Sequence, residues 1–158
     1  MARYAEGTAV SPEKSQQEIT VMLRRYGAST VATGISDDRA MVAFEAHNRQ
    51  IRIIVPLPNP ASTEFHRTPT NLRRDHAGAR RAWEAEVRRR WRALMLVIKA
   101  KLEISASGIA EFESEWLAYT VLPDGSTVAQ HTLPAVERAY VTGQVTDLLP
   151  RAVESRKP

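Results

Sequence analysis

Ala40-Met41-Val42-Ala43-Phe44-Glu45-Ala46-His47-Asn48-Arg49-Gln50-Ile51-Arg52-Ile53-Ile54-Val55 is the stretch that decides the fold. Ala40, Val42 and Phe44 alternate with Met41, Ala43 and Glu45, and Ile51, Ile53 and Val55 alternate with Gln50, Arg52 and Ile54. A period of two sends successive side chains to opposite faces of a strand, so both halves read as strands. Asn48-Arg49 is the expected hairpin tip. Upstream, 29–33 is short and β-prone, and Gly34-Ile35-Ser36-Asp37-Asp38 reads as a turn cluster. Three strands with short connections make an antiparallel meander, one face packed and one partly wet.

Working outward toward the N-terminus, the period becomes helical. Ile19, Met22, Leu23 and Tyr26 recur at helix spacing, and Gly27 is placed to stop the helix. Ser11-Pro12-Glu13 supplies a cap, a proline at the first helical position and an acid at the positive helix end. Ser15 and Glu18 have the spacing of a capping box one turn later. A helix over 12–26 is expected.

On the other side, Pro56, Pro58 and Pro60 end the sheet because none can donate to a strand ladder. A long connection, 56–76, carries His66, Arg67, Arg73, Arg74 and His76. The longest helix is expected over 77–105. Trp83, Val87, Trp91, Leu94, Ile98 and Leu102 fall in one arc roughly 100° wide, with Met95 at its edge. Opposite that arc the pattern places Arg81, Arg88, Arg92 and Lys99, within roughly 40° of one another. Ser105 to Gly108 breaks the helix, and Ile109, Phe112, Trp116 and Leu117 mark a shorter one. A hairpin is expected around Pro123-Asp124-Gly125, with strands at 119–122 and 127–129. Pro134 opens a last short helix that Gly143 stops. The fold class is therefore α+β: one domain over 1–150, then a polar, flexible tail over 151–158.

The 158 residues include no cysteine, which excludes disulfides, thiolate nucleophiles and thiolate metal sites, and fits a reducing cytoplasm. Met1 to Ser11 lacks an apolar core, so no signal peptide is expected, and Leu94 to Ile98 is too short to cross a bilayer. Net charge is +4, concentrated in the middle: 64–104 carry 11 basic and 5 acidic residues. Most of the basic residues are arginine, whose planar fork pairs bidentately with phosphate or carboxylate.

A row of cations on a rigid helix suits a phosphodiester backbone, with affinity arising from counterion release. Arg81, Arg88, Arg92 and Lys99 are the expected contacts, joined by Arg73 and Arg74 from the loop. The bland alternative is a solvated charged face, or pairing of the row with Glu84, Glu86 or the acids at 111–115. Trp83 and Trp91 are read as core. No catalytic residue is assigned. The four histidines lack metal-ligand spacing, and Glu103, Glu111, Glu113 and Glu115 give only a weak nuclease pattern, their spacing of two pointing neighbours apart. No cofactor or metal is expected.

Arg25-Tyr26-Gly27-Ala28, Arg49-Gln50-Ile51-Arg52 leading to Pro56-Leu57-Pro58, and Trp91-Arg92-Ala93-Leu94 through Val97 to Glu103 resemble a group of small bacteriophage and prophage proteins. Gly108-Ile109, Phe112-Glu113, Glu115, Leu117-Ala118 and Leu122-Pro123-Asp124-Gly125 extend the resemblance over about 11–128. It implies a phage setting and no particular reaction. The order helix, meander, long helix is also that of double-stranded-RNA-binding domains and of the core of single-strand-annealing recombinases, a likeness of topology alone. The expectation is a non-enzymatic nucleic-acid-binding accessory protein of phage replication or recombination, with single-stranded DNA favoured. The alternative is a phage interaction protein that inhibits or recruits a host factor. No membrane partner is expected, and homo-oligomerisation is left open.

Overall fold

A computed structural model describes residue 5, 7–36 and 38–149. The expected tail over 151–158 lies outside the described residues.

Helix α1 spans Pro12–Arg25, and Ser11 caps it by accepting from the Lys14 amide at 3.2 Å. Ser15 is no second cap: it is fully buried inside the helix, its hydroxyl without a partner. The chain leaves through Gly27 at φ 93°, a conformation that costs glycine little.

The meander is β1 (Thr30–Ser36), β2 (Arg39–Ala46) and β3 (Arg49–Pro56), in the order β1-β2-β3 and antiparallel throughout. Val42 faces Ile53 and Phe44 faces Ile51, so the alternating apolar residues meet on the buried face. Two details differ from the sequence expectation. Gly34, Ile35 and Ser36 continue β1, opposite Met41, Ala40 and Arg39, so of the described residues in the expected turn cluster only Asp38 lies outside a strand. The second turn is His47-Asn48, one residue earlier than expected, and both have positive φ (50° and 59°). That is the mirror-image turn whose twist suits a two-residue hairpin, and asparagine tolerates it.

Helix α2 is one turn, Thr63–His66, and helix α3 runs from His76 to Ala106. Asp75 caps α3, accepting from the Gly78 amide at 2.6 Å, which explains why an acid precedes His76. Val87, Trp91, Leu94, Met95, Ile98 and Leu102 bury the expected arc in one cluster with Ile19 and Leu23 of α1 and the inner face of the sheet. Trp83, half-buried, donates its indole N–H to the Pro58 carbonyl at 2.8 Å.

Helix α4 (Phe112–Trp116) and a 3-10 turn (Leu117–Tyr119) place Trp116 edge-on against Phe44, ring centroids 5.2 Å apart. Thr120 then bridges Ile51 and the Val121 amide donates to the Gln50 carbonyl, covering part of the β3 edge. The expected hairpin shrinks to a single bridge, Val121 to Thr127. Thr127 and Gln130 form a reciprocal capping box, so helix α5 spans Val128–Thr142 with Pro134 in its interior, and the segment expected as a strand is its first turn. Gly143 ends it at φ 70°. Among the described residues no helix is long and apolar enough to cross a membrane.

Candidate nucleic-acid interface

The row Arg81, Arg88, Arg92 and Lys99 does not lie opposite the buried arc of α3. Arg88, Arg92 and Lys99 occupy the flank where α3 meets α1, because α1 packs beside α3 in one core with the sheet. The two helices run in the same direction: Pro12 lies near Val87, Glu18 reaches Arg92, and Tyr26 reaches Glu103. Between them runs an open groove of about 830 Å³. Met22, Met95 and Leu96 form its floor with Val21, which is 60 % exposed.

Each expected contact residue has a distinct situation. Arg81 and Lys99 are exposed at the two ends of the row, and Lys99 lines the groove. Arg88 is half-buried in a neighbouring cleft with Glu13, Leu57, Pro60 and Trp83. Arg92 is bound to Glu18 on α1 at 2.7 Å. Arg73 is exposed beside α3. Arg74 is turned inward: its guanidinium donates to the carbonyls of Glu64, Phe65 and Arg67 at 3.1, 3.3 and 2.7 Å. Those are the free carbonyls at the end of α2, so Arg74 holds the connecting loop together. Arg67 and Arg73 form a backbone bridge, giving this part of the loop a regular turn.

Other basic residues of α3 are also engaged. Glu86 binds both Arg89 and Arg90, at 2.6 and 2.9 Å, and the Arg89 guanidinium holds its carboxyl well below the usual range, at about 2. Lys101 is held by Glu115 and lies over the rings of Trp116 and Tyr119.

Two cations missed in the sequence join the groove from α1. Lys14 and Arg25 are exposed and line it with Lys99. They are eleven residues apart, three helical turns to within roughly 20°, which was a readable signal for a shared face. Lys14, Arg25, Arg81, Arg88 and Lys99 make no ion pair among the described residues. Tyr26 donates to Glu103 at 2.6 Å, and that bond raises the phenol pKa, fixing the ring at the end of the groove.

Among the described residues no group of three or more His, Asp or Glu gathers to hold a metal ion. Asp75 is committed to its cap, Glu103 to Tyr26 and Glu115 to Lys101. The groove offers cations beside an apolar floor. No family model matches the chain, and no curated protein or solved structure matches it either.

Proposed function

We propose that the chain is a non-enzymatic accessory protein of phage replication or recombination that binds single-stranded DNA along the α1–α3 groove in the bacterial cytoplasm. The observation that carries this reading is the set of unpaired cations from two helices, Lys14, Arg25 and Lys99, around an apolar floor. Arg88 and Arg81 continue the line along α3. From Arg81 to Lys99 the rod is about 27 Å long, enough to follow a strand of several nucleotides. A concave apolar floor favours unstacked bases over a closed duplex, because Val21, Met22, Leu96 and the Tyr26 ring offer surface that paired bases cannot reach. Arg92 contributes less than its position in the row suggests, since Glu18 already neutralises it.

The test is binding against salt. A labelled oligonucleotide should bind with a steep salt dependence. Combining Arg88→Glu with Lys99→Glu removes at least two phosphate contacts, lowering affinity by ~25-fold or more at 0.1 M salt and flattening the slope by about 1.4. Absence of binding at low salt ends this reading. The exposed Val21 in the floor favours one alternative, an apolar helix of a partner protein in the same groove. Material retained from host lysate after nuclease digestion would support that alternative.

A further inference from the structure

The seam between α1 and α3 continues past the groove into a second cleft, of about 600 Å³. Glu13 and Arg88 line this cleft, while Lys14, the next residue of α1, and Arg92, one turn along α3, line the groove. Ile35, 52 % exposed, with Leu57, Val87 and Trp83 makes the lining largely apolar. The spacing of α3 places Trp83 in the core, but the structure leaves it half-buried, with a smaller cleft also against it. Its indole N–H is already engaged by the Pro58 carbonyl at 2.8 Å, so the ring is held in place and what it still offers is its π surface. The charged groups differ in their freedom. Arg80 holds Glu84 at 3.0 Å, whereas Arg88 and the exposed Glu13 form no ion pair among the described residues.

We infer that this cleft takes one unpaired base of a strand lying in the groove, a base that carries an exocyclic amino group. The base stacks on Trp83, its flanking phosphate sits at Arg88, and its amino group donates to Glu13. This rests on nucleic acid occupying the α1–α3 groove and adds a preference among bases to it. An aromatic ring beside an available guanidinium offers a base and its phosphate one partner each, the combination by which single strands are gripped. The seam makes the occupant continuous: a strand held at Lys14 and Lys99 reaches Arg88 without leaving the contact between the two helices. Glu13 sets the choice of base. A carboxylate repels a phosphate, so the backbone keeps to the Arg88 side, and it accepts from the amino group of cytosine, adenine or guanine. Thymine has no such group.

The other two tryptophans, Trp91 and Trp116, are 1 and 0 % exposed, so quenching of the intrinsic fluorescence by an added strand reports on Trp83. The full chain is titrated at low salt and neutral pH with oligodeoxycytidylate and with oligothymidylate, each of about 20 nucleotides, and anisotropy is read in parallel. Both strands should bind, with oligodeoxycytidylate quenching the fluorescence and binding at least about 3-fold tighter. Glu13→Gln should bring that ratio to about 1, because an amide can also donate to a thymine carbonyl. Trp83→Leu should weaken oligodeoxycytidylate binding by about 5-fold or more and leave the salt slope unchanged, since no charge is lost. If Trp83→Leu fails to fold, quenching in the unaltered chain and the Glu13→Gln ratio decide the matter. Failure of both strands to bind at low salt ends the groove reading and this inference with it. Binding without quenching, equal affinity for the two strands, or a preference that survives Glu13→Gln leaves the groove standing and overturns the base pocket.

Discussion

Removing the carboxylate of Glu18 should strengthen nucleic-acid binding, an outcome that no general account of a destabilised surface anticipates. Glu18 lies in the α1–α3 groove and holds Arg92 at 2.7 Å. In Glu18→Gln the volume and much of the hydrogen bonding survive, while Arg92 regains a free charge next to Lys99 and the apolar floor. One further neutralised phosphate steepens the dependence of log K on log salt by about 0.7 for a single strand, which is ~5-fold tighter binding at 0.1 M salt. The cost to folding is small. The two side chains are 28 % and 38 % exposed, and a pair this open contributes about 0–1 kcal/mol, or a loss of ~2–4 °C in Tm at most.

The assay is fluorescence anisotropy of a labelled oligothymidylate of about 20 nucleotides, titrated at several salt concentrations. Glu113→Gln serves as the control. It changes net charge equally, but Glu113 lines a separate cleft, with Phe112 and Ile109. The reasoning requires Glu18→Gln to gain affinity and slope together and Glu113→Gln to leave the slope alone. Equal gains in both variants would mean that net charge alone matters. An unchanged slope in Glu18→Gln would refute the assignment of the groove.

Two further outcomes test the architecture. Glu86, whose carboxyl is lowered from 4.5 to about 2 by Arg89 and Arg90, contributes stability that is fully present above its unfolded pKa and is lost as pH falls toward 2. Urea unfolding should therefore show Glu86→Gln less stable by about 2–3 kcal/mol at pH 7, and the difference should fall to roughly half by pH 3; a gap independent of pH would contradict this. Gly78→Ala, ordinarily a gain of up to about 1 kcal/mol inside a helix, should here lower stability, because the added Cβ would meet the capping Asp75 oxygen at 2.7 Å. Thermal melts of Gly78→Ala and Asp75→Ala check it, and a Tm increase in Gly78→Ala would refute the packing argument.

The elements legible in the sequence are those whose signals are local. Alternation at 40–55, the Ser11 cap with Ile19 and Leu23 behind it, and the tryptophan arc of α3 each lie within one element, and packing then agreed with them. The C-terminal region misled because two local signals competed. Pro134 looked like a helix start and Thr127-Val128 like a strand, but the Thr127–Gln130 capping box satisfies the first amides of α5 and sets its start six residues earlier. At the His47-Asn48 turn the error was one residue, since a chain with no Asn-Gly pair gives no marker for which two residues take positive φ.

The candidate site was harder for a physical reason: charge summed along a chain is not the field at a surface. The excess of 11 basic over 5 acidic residues in 64–104 suggested a strongly cationic rod. Much of that excess is committed. Arg74 binds backbone carbonyls, Arg89 and Arg90 share Glu86, Lys101 is held by Glu115, and Arg92 by Glu18, which lies 74 residues away in sequence. No spacing rule within α3 reveals a partner on another helix. The same packing that neutralises Arg92 brings Lys14 and Arg25 beside Lys99. The cationic surface is therefore built by the contact between α1 and α3 rather than by α3 alone, and a substitution that separates the two helices should abolish it while leaving every arginine in place.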